Sequence, residues 1–89
     1  MRKFEYDEEK SEFNKSKHGI DFIQAQLIWM DPRFLDFIPA TYDNEHRWNA
    51  VGKINGLFWT ATYTERGDVI RIISVRRSRK HEKEAYYAS

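Results

Sequence analysis

The feature that most constrains this fold is residues 68–77, a run rich in β-branched aliphatic residues that predicts a buried strand. Arg71 interrupts the run, and a guanidinium inside a buried strand has to reach a polar surface or an anion. Residues 57–64 alternate in the same way, and Glu-Arg-Gly-Asp at positions 65–68 has the composition of a turn. The sequence therefore predicts a hairpin in which the charge of Arg71 needs a partner.

The length and the absence of cysteine narrow the class of protein. With 89 residues, we expect a single domain, residues 1–89, with one sheet and two or three helices. The chain contains no cysteine, which excludes a disulfide framework and a thiolate metal site and is typical of a reducing cytosol. The N-terminus runs directly into acidic residues without an apolar segment. We expect a soluble, cytoplasmic protein.

The charge is distributed unevenly along the chain. The net charge is +1, yet residues 5–12 hold five acids and one lysine, whereas residues 66–83 hold seven basic residues and two acids. A basic C-terminal third in a chain with 16% aromatic residues is typical of a protein that binds a phosphate backbone. A solvated basic face, balanced by an acidic N-terminal helix, explains the charge equally well.

The element order follows from periodicity and from capping signals. The first helix is polar and is expected to begin after Asp7 and to end at Gly19. The second helix is apolar and begins with a capping box formed by Asp21 and Gln24. The last helix is predicted to have Ser78 as its N-terminal cap. The order β-α-α-β-β-β-β-α, with short turns between neighbours, predicts an α+β fold: a small antiparallel sheet packed by N-terminal helices, with a C-terminal helix. The predicted segments are a strand at 4–6, helices at 8–17 and 20–30, strands at 34–38, 48–54, 57–64 and 68–77, and a helix at 79–88.

Asn55-Gly56 is the strongest hairpin signal and predicts a two-residue type I′ turn that pairs Ile54 with Leu57. If the next turn leaves Thr64 opposite Val69, Thr62 lies opposite Arg71. The polar face of the sheet then carries Arg47, Asn49, Thr62 and Arg71, with Phe58 on the same side. The predicted core face carries Trp48, Ala50, Ile54, Leu57, Trp59, Ala61, Ile70 and Ile72.

The candidate chemistry is that of arginines and proton-transfer groups. His18, His46 and His81 lack the spacing of a metal site, and the chain has no serine or cysteine nucleophile motif and no glycine-rich phosphate loop. We therefore expect no cofactor. The composition fits metal-free RNA cleavage, in which a ribose 2′-oxygen attacks the adjacent phosphate while the protein positions the strand, moves two protons and stabilises negative charge.

One set of motifs runs through the chain in this order: Phe4-x-Tyr6-Asp7-x-x-Lys10, Asn14-x-x-Lys17-His18-Gly19-Ile20-x-Phe22-x-x-Ala25, Glu45-x-Arg47-x-x-x-x-Gly52, Tyr63-Thr64-x-Arg66 and Arg71-Ile72-Ile73-Ser74-x-Arg76, followed by Glu82 and Tyr86. This set resembles the BrnT-type toxins of type II toxin–antitoxin systems. The resemblance implies a RelE/ParE-like fold, a ribonuclease activity that arrests translation, and a BrnA-like ribbon-helix-helix antitoxin that neutralises the toxin and, with it, binds operator DNA. The sequence departs mildly from the pattern at Val75 and at Ser78.

These considerations assign candidate roles. Arg71 and Arg76 are expected to stabilise charge on the phosphate, Glu45 and His18 to transfer protons, and Tyr86 to orient a nucleotide. Structural roles compete with each of these. They are an ion pair with an acid on a helix for Arg71, a charged rim of the sheet for Arg76 and a surface ion pair with Arg47 for Glu45. For His18 the alternative is a C-terminal helix cap, and for Tyr86 it is docking of the last helix. The predicted RNA-binding residues are Arg47, Arg66, Lys17, Asn49 and Arg77, and Phe58 is expected to meet RNA bases or the antitoxin.

Two other functions stay open at this point. One is a non-catalytic module that binds RNA or antitoxin and serves as corepressor of its operon. The other, poisoning of DNA gyrase, is suggested only by the breadth of the RelE/ParE-like superfamily. Cleavage of RNA in chelator distinguishes the nuclease from both.

Overall fold

The computed structural model describes residues 3–40 and 46–89, except for the side chain of Phe37. A five-stranded sheet has the order β1-β5-β4-β3-β2. β1 runs parallel to β5 and the other neighbours are antiparallel, so the sheet is mixed rather than wholly antiparallel. The α+β class and the element order are confirmed. The elements are β1 (Lys3–Glu5), α1 (Glu8–His18), α2 (Phe22–Ala25), a 3-10 helix (Gln26–Met30), β2 (Leu35–Pro39), β3 (Trp48–Ile54), β4 (Leu57–Arg66), β5 (Val69–Arg77) and α3 (Lys80–Ala88).

The β3–β4 hairpin follows from its turn residues. Asn55 and Gly56 both have positive φ, 50° and 82°, as a type I′ turn requires. The turn pairs Ile54 with Leu57 and continues to Trp48 opposite Tyr63. The predicted register of this hairpin is confirmed.

The next turn is tighter than predicted. Arg66 pairs with Val69, so only Gly67 and Asp68 lie between the strands, and Gly67 supplies a φ of 63°. Thr64, not Thr62, therefore lies opposite Arg71. The predicted register was wrong by two residues, but an even shift leaves the residues from Val69 to Ile72 on their predicted faces.

A β-bulge in β5 was not predicted. Tyr63 pairs with Ile72 and Thr62 pairs with Ser74, which leaves Ile73 as an extra residue. Beyond the bulge the alternation changes phase, so that Val75 joins Ile72 on the side of the sheet that faces the core. The bulge decides which side the rest of β5 presents.

The helical face of the sheet, the side packed by α1, α2 and the 3-10 helix, carries the main core. Phe22, Ala25 and Ile28 come from the helices, while the strands contribute Ala50, Trp59, Ala61, Tyr63, Ile70, Ile72 and Val75. Of the predicted core residues, Trp48 and Ile54 pack at the margin and Leu57 is exposed at the hairpin end.

The second helix is shorter than predicted. After Ala25 the chain tightens into the 3-10 helix. Ile23, Leu27 and Met30 are exposed on these two segments. Ile28 approaches β3 closely, since a Cβ on Gly52 would lie 2.9 Å from its Cγ2 atom and 3.0 Å from its carbonyl oxygen. Glycine at position 52 therefore permits this approach.

α1 packs through polar side chains, as its composition indicates. Asp7 caps it, accepting from the amides of Glu9 and Lys10. Buried Asn14 donates to the Ile20 carbonyl oxygen at 2.8 Å and accepts from the Val75 amide at 3.1 Å. Because β1 pairs only with Val69, Ile70 and Arg71, this contact covers the edge of β5 beyond β1.

α3 begins one residue later than predicted, with Arg79 instead of Ser78 as N-cap. The Ser78 hydroxyl lies 2.8 Å from the hydroxyl of Thr60, so it joins the strand to the helix instead of capping it. Within residues 3–40 and 46–89, no helix has both the length and the apolar character needed to cross a bilayer.

Candidate functional site

The second face of the sheet, opposite the helical face, divides into two halves. The covered half lies under α3, where Val51 and Phe58 pack against Tyr86. The open half comprises the opposite ends of the same strands, with Arg47 just before β3. It carries the half-buried Asn49, Thr62 and Arg71 and the buried Thr64.

The bulge places both predicted catalytic arginines on this one face. Arg71 and Arg76 are five residues apart, a spacing that puts side chains on opposite faces of a regular strand. With Ile73 as the extra residue, Arg71 pairs with Thr64 and Arg76 pairs with Thr60 on the second face. Arg71 lies in the open half and Arg76 in the covered half.

Arg76 is held by a buried carboxylate of α3. Its Nη1 and Nη2 atoms donate to the two carboxylate oxygens of Glu82, each at 2.8 Å. Glu82 Oε1 also accepts from the Arg79 amide at 2.7 Å and from the Thr60 hydroxyl at 3.1 Å. The Glu82 side chain is 6% exposed, so this cluster joins α3 to the sheet.

The protonation states in the cluster follow from these contacts. Burial alone would raise the pKa of Glu82, but the hydrogen bonds from Arg76, Arg79 and Thr60 outweigh it and lower the pKa to about 2. The hydrogen bond to Glu82 raises the pKa of Arg76 further above its usual value, against a smaller opposing effect of burial. Both groups are charged at neutral pH.

Tyr86 fixes the other end of α3. Its hydroxyl donates to Asp31 Oδ2 at 2.7 Å, and the amides of Lys53 and Arg33 donate to the same carboxylate at 2.9 and 3.0 Å. Burial, together with this hydrogen bond to Asp31, raises the pKa of Tyr86 to about 12. Burial would raise the pKa of Asp31, but its hydrogen bonds outweigh that effect and lower it. These contacts match the docking role; the proposed contact of Tyr86 with RNA stays a prediction.

Arg71 is held far more loosely than Arg76. Its side chain is 34% exposed, and its Nη1 atom lies 3.8 Å from Glu5 Oε1. Arg66, with a side chain 67% exposed, lies at the same distance from the same oxygen. Nearby, the Thr62 hydroxyl donates to Asn49 Oδ1 at 2.8 Å. The open half thus combines two accessible guanidinium groups with neutral polar side chains.

The remaining predicted site residues are dispersed. Arg77 lies on the helical face, where its guanidinium stacks 5.5 Å from the ring centre of Trp59. Lys17 and His18, at the end of α1, line a groove of about 270 Å³ with Ile73 and Ser74 along the edge of β5. Glu45 lies outside the described residues. Arg47 is half-buried, and its carbonyl oxygen accepts from the Ala40 amide at 2.8 Å.

The expected exposure of Phe58 is wrong. Its side chain is 8% exposed and packs edge-on against the rings of Tyr86 and Tyr87. The helix that covers it is the one fixed by Glu82 and Tyr86. Phe58 therefore belongs to the contact between α3 and the sheet, away from the open half.

Among residues 3–40 and 46–89, no three side chains of histidine, aspartate or glutamate are grouped to hold a metal ion. An apolar groove of about 900 Å³ lies between β1 and the 3-10 helix. Its lining includes Phe4, Ile23, Leu27, Met30 and Phe34.

Sequence reasoning missed the carboxylates that contact these arginines. Glu5 was part of the acidic N-terminal segment, and only the parallel pairing of β1 with β5 places it beside Arg71. Glu82 follows the last motif of the family pattern, and its spacing from Arg76, six residues across a strand–helix junction, gives no local signal of an ion pair. A capping position three residues into α3 was the one available indication.

Residues 6–82 match the family model described as "Ribonuclease toxin, BrnT, of type II toxin-antitoxin system". The chain belongs to the BrnT family. For a BrnT toxin the substrate class is RNA and the partner is an antitoxin, as this description implies. No individual curated protein matches the chain. Glu5 lies immediately before the matched segment, whereas Arg66, Arg71, Arg76 and Glu82 lie within it.

Proposed function

We propose that this BrnT chain is a metal-independent endoribonuclease that cleaves RNA by attack of the ribose 2′-oxygen on the adjacent phosphate. The 2′-oxygen forms a bond to phosphorus and loses its proton to a base, and the bond to the 5′-oxygen breaks as an acid supplies a proton. The products carry a 2′,3′-cyclic phosphate and a 5′-hydroxyl. The observation that supports this most is the accessible pair Arg66 and Arg71 beside neutral polar groups on the open half.

Arg71 is the proposed phosphate clamp. A guanidinium offers several donors in a fixed plane and suits the extra negative charge of a five-coordinate phosphorus. Asn49 and Arg47 would contact the strand beside it, while Glu45 and His18 are the proposed base and acid. Lys17 and Arg77 would extend the basic surface around the edge of the sheet.

Arg76 has a different proposed role within the same site. Its two terminal nitrogens are engaged by Glu82, so direct contact with a phosphate requires that ion pair to open. We propose that it acts mainly by fixing α3 at the border of the open half, with Tyr86 as the second anchor. A direct share in transition-state stabilisation stays a prediction for both residues.

We further propose that cleavage arrests translation in the cytoplasm and that a BrnA-like ribbon-helix-helix antitoxin restrains it. An antitoxin segment laid over the open half would block the phosphate clamp. The complex of toxin and antitoxin would then contact operator DNA through the antitoxin. Co-expression of a neighbouring reading frame of this class tests the pairing, because the two proteins should copurify and RNA cleavage should cease.

The deciding experiment is incubation of the purified protein with total RNA, with and without chelator. We expect cleavage in both conditions and products that end in 2′,3′-cyclic phosphate. Arg71→Ala serves as the inactive control, and Glu12→Gln, a change on the exposed side of α1, as the active one. Intact RNA at high enzyme concentration would contradict the proposal.

A second candidate function is a non-catalytic module that acts as corepressor. The internal bonding of Arg76 and Tyr86 favours it, because two of the five residues proposed for catalysis are occupied in packing α3. This reading predicts salt-dependent RNA binding without any cleavage. The same incubation, followed by a filter-binding assay, separates the two functions.

A further inference from the structure

The Glu5 carboxylate lies beside the pair Arg66 and Arg71, and neither the family description nor the sequence motifs give this carboxylate a role. One oxygen, Glu5 Oε1, lies 3.8 Å from Nη1 of Arg66 and 3.8 Å from Nη1 of Arg71. An anionic oxygen therefore lies at the same distance from two guanidinium groups. A non-bridging oxygen of a phosphate has the same charge and the same preference for such donors.

We propose that the pair Arg66 and Arg71 is a binding site for one RNA phosphate, and that Glu5 occupies this site until RNA displaces it. The inference rests on the proposed function and adds a regulatory contact to it. Glu5 then acts as an internal competitor, and its removal tightens RNA binding.

The distances show why the carboxylate is replaceable. Hydrogen bonds from nitrogen to oxygen span about 2.7–3.2 Å, so at 3.8 Å Glu5 attracts both arginines by charge without taking their donors. A phosphate that approaches to hydrogen-bonding distance gains these donors. The incoming ligand therefore forms contacts that the resident carboxylate lacks.

Exposure also favours exchange. The Glu5 side chain is 39% exposed, and water compensates both it and the arginines when they separate. Glu82 is the opposite case, since its side chain is 6% exposed and its carboxylate accepts at 2.8 Å from both terminal nitrogens of Arg76. The two pairs have the same chemistry, and only the Glu5 contact can open at low cost.

The backbone supports the arrangement on both sides. Parallel pairing sets Glu5 beside Arg71, while the two-residue turn at Gly67 and Asp68 brings Arg66 to the same end of the sheet. Phe4, the neighbour of Glu5, packs edge-on against Trp29 and fixes β1 to the core. The carboxylate is thus held beside the arginines by β1 and not by the ion pair itself.

The test measures binding of a short 2′-O-methyl oligouridine, which lacks the attacking hydroxyl and is not cleaved. Glu5→Gln keeps the side-chain shape and removes the charge. We expect its Kd to fall by roughly two- to fivefold, the range that corresponds to losing one exposed ion pair. Glu12→Gln changes the net charge by the same amount. We expect it to change the Kd by a smaller factor than Glu5→Gln does.

A double variant and the salt dependence sharpen the test. In the Arg71→Ala background, Glu5→Gln should give little further gain, because Glu5 then has less positive charge to neutralise. The dependence of log Kd on log salt should steepen in Glu5→Gln, by up to about 0.7 for each arginine that gains a phosphate contact. Equal melting temperatures of Glu5→Gln, Glu12→Gln and Arg71→Ala would show that the differences in Kd do not arise from differences in folding.

The remaining outcomes overturn the proposal. If Glu5→Gln binds no tighter than Glu12→Gln, the carboxylate does not compete with RNA; if it binds more weakly, Glu5 orders the arginines instead. Unchanged binding with a large loss of kcat would make Glu5 a proton-transfer group. Failure of the proposed nuclease function is read separately, as intact total RNA with the wild-type protein, and absence of oligouridine binding by the wild type overturns the inference as well.

Discussion

The two halves of the second face contain the same pair of charged groups in opposite settings. In the covered half, Arg76 and Glu82 form a two-pronged ion pair under α3, with distances of 2.8 Å and a carboxylate that is 6% exposed. In the open half, Arg71 and Glu5 approach only to 3.8 Å and both remain accessible. Burial, and not the identity of the residues, separates a structural arginine from one that is available to a ligand.

The largest difference between the halves should appear in catalysis. Arg71→Ala should lower cleavage of total RNA by roughly 10²–10³-fold, the usual effect of losing one preorganised stabiliser of transition-state charge. Its melting temperature should stay close to that of the wild type, because an exposed ion pair contributes little to stability. Single-turnover cleavage and thermal melting check the two parts. Wild-type cleavage by this variant would remove Arg71 from the site.

The covered half should show the converse effect. Arg76→Ala leaves the buried Glu82 carboxylate without its main partner, and we expect a loss of about 3 kcal/mol in the free energy of unfolding. For a chain of this size, that loss lowers the melting temperature by roughly 10–20 °C. Urea unfolding of Arg76→Ala and Arg71→Ala in parallel gives the comparison. Equal stabilities would mean that the Glu82 cluster does not hold α3.

Acid should weaken the covered half selectively. The pKa of Glu82 is lowered from 4.5 to about 2, so its contribution is complete above pH 4.5 and is lost as the pH falls towards 2. The shift corresponds to a contribution of about 3 kcal/mol at neutral pH. Glu82→Gln should therefore be less stable than the wild type at pH 7, and the gap should close towards pH 2. A gap independent of pH would contradict the ion-pair account.

Tyr86→Phe should have the smallest effect. The substitution keeps the ring packed on Phe58 and removes only the hydrogen bond to Asp31, with an expected cost of about 1 kcal/mol. The pKa of Tyr86 is raised to about 12, so its stabilising effect holds below pH 10 and is lost as the pH rises through 12. Unfolding at pH 8 and pH 11 should show a smaller gap at the higher pH. Loss of cleavage without loss of stability would restore Tyr86 as a catalytic residue.

Local signals predicted the parts of the fold that depend on few residues. Asn55 and Gly56 set the register of a whole hairpin, and Asp7, Gly19 and the Asp21–Gln24 capping box set the helix ends. Each of these depends on residues that are neighbours in sequence. Such signals predicted the correct face for Arg71, although the turn between β4 and β5 is two residues shorter than expected.

The rest depended on contacts between distant parts of the chain. Ile72 and Ile73 are both apolar, so the sequence does not indicate which one faces the core or that a bulge lies between them. The carboxylates that contact the arginines lie in β1 and α3. The periodicity of a sequence does not indicate contacts between such distant segments. The candidate site is therefore predictable as a set of residue types, while its division into a structural half and an accessible half follows from contacts between distant segments of the folded chain.

The β-bulge at Ile73 determines which face of the sheet each later residue of β5 occupies. If β5 kept Ile73 but alternated strictly, without the bulge, Val75 would leave the core and the guanidinium of Arg76 would point into the hydrocarbon interior. Deletion of Ile73 would instead remove the bulge and keep the present pairs, with Val75 opposite Ala61 and Arg76 opposite Thr60. Homologues of this toxin can therefore lose residue 73 and keep both faces of β5, whereas an unbulged strand of the present length cannot.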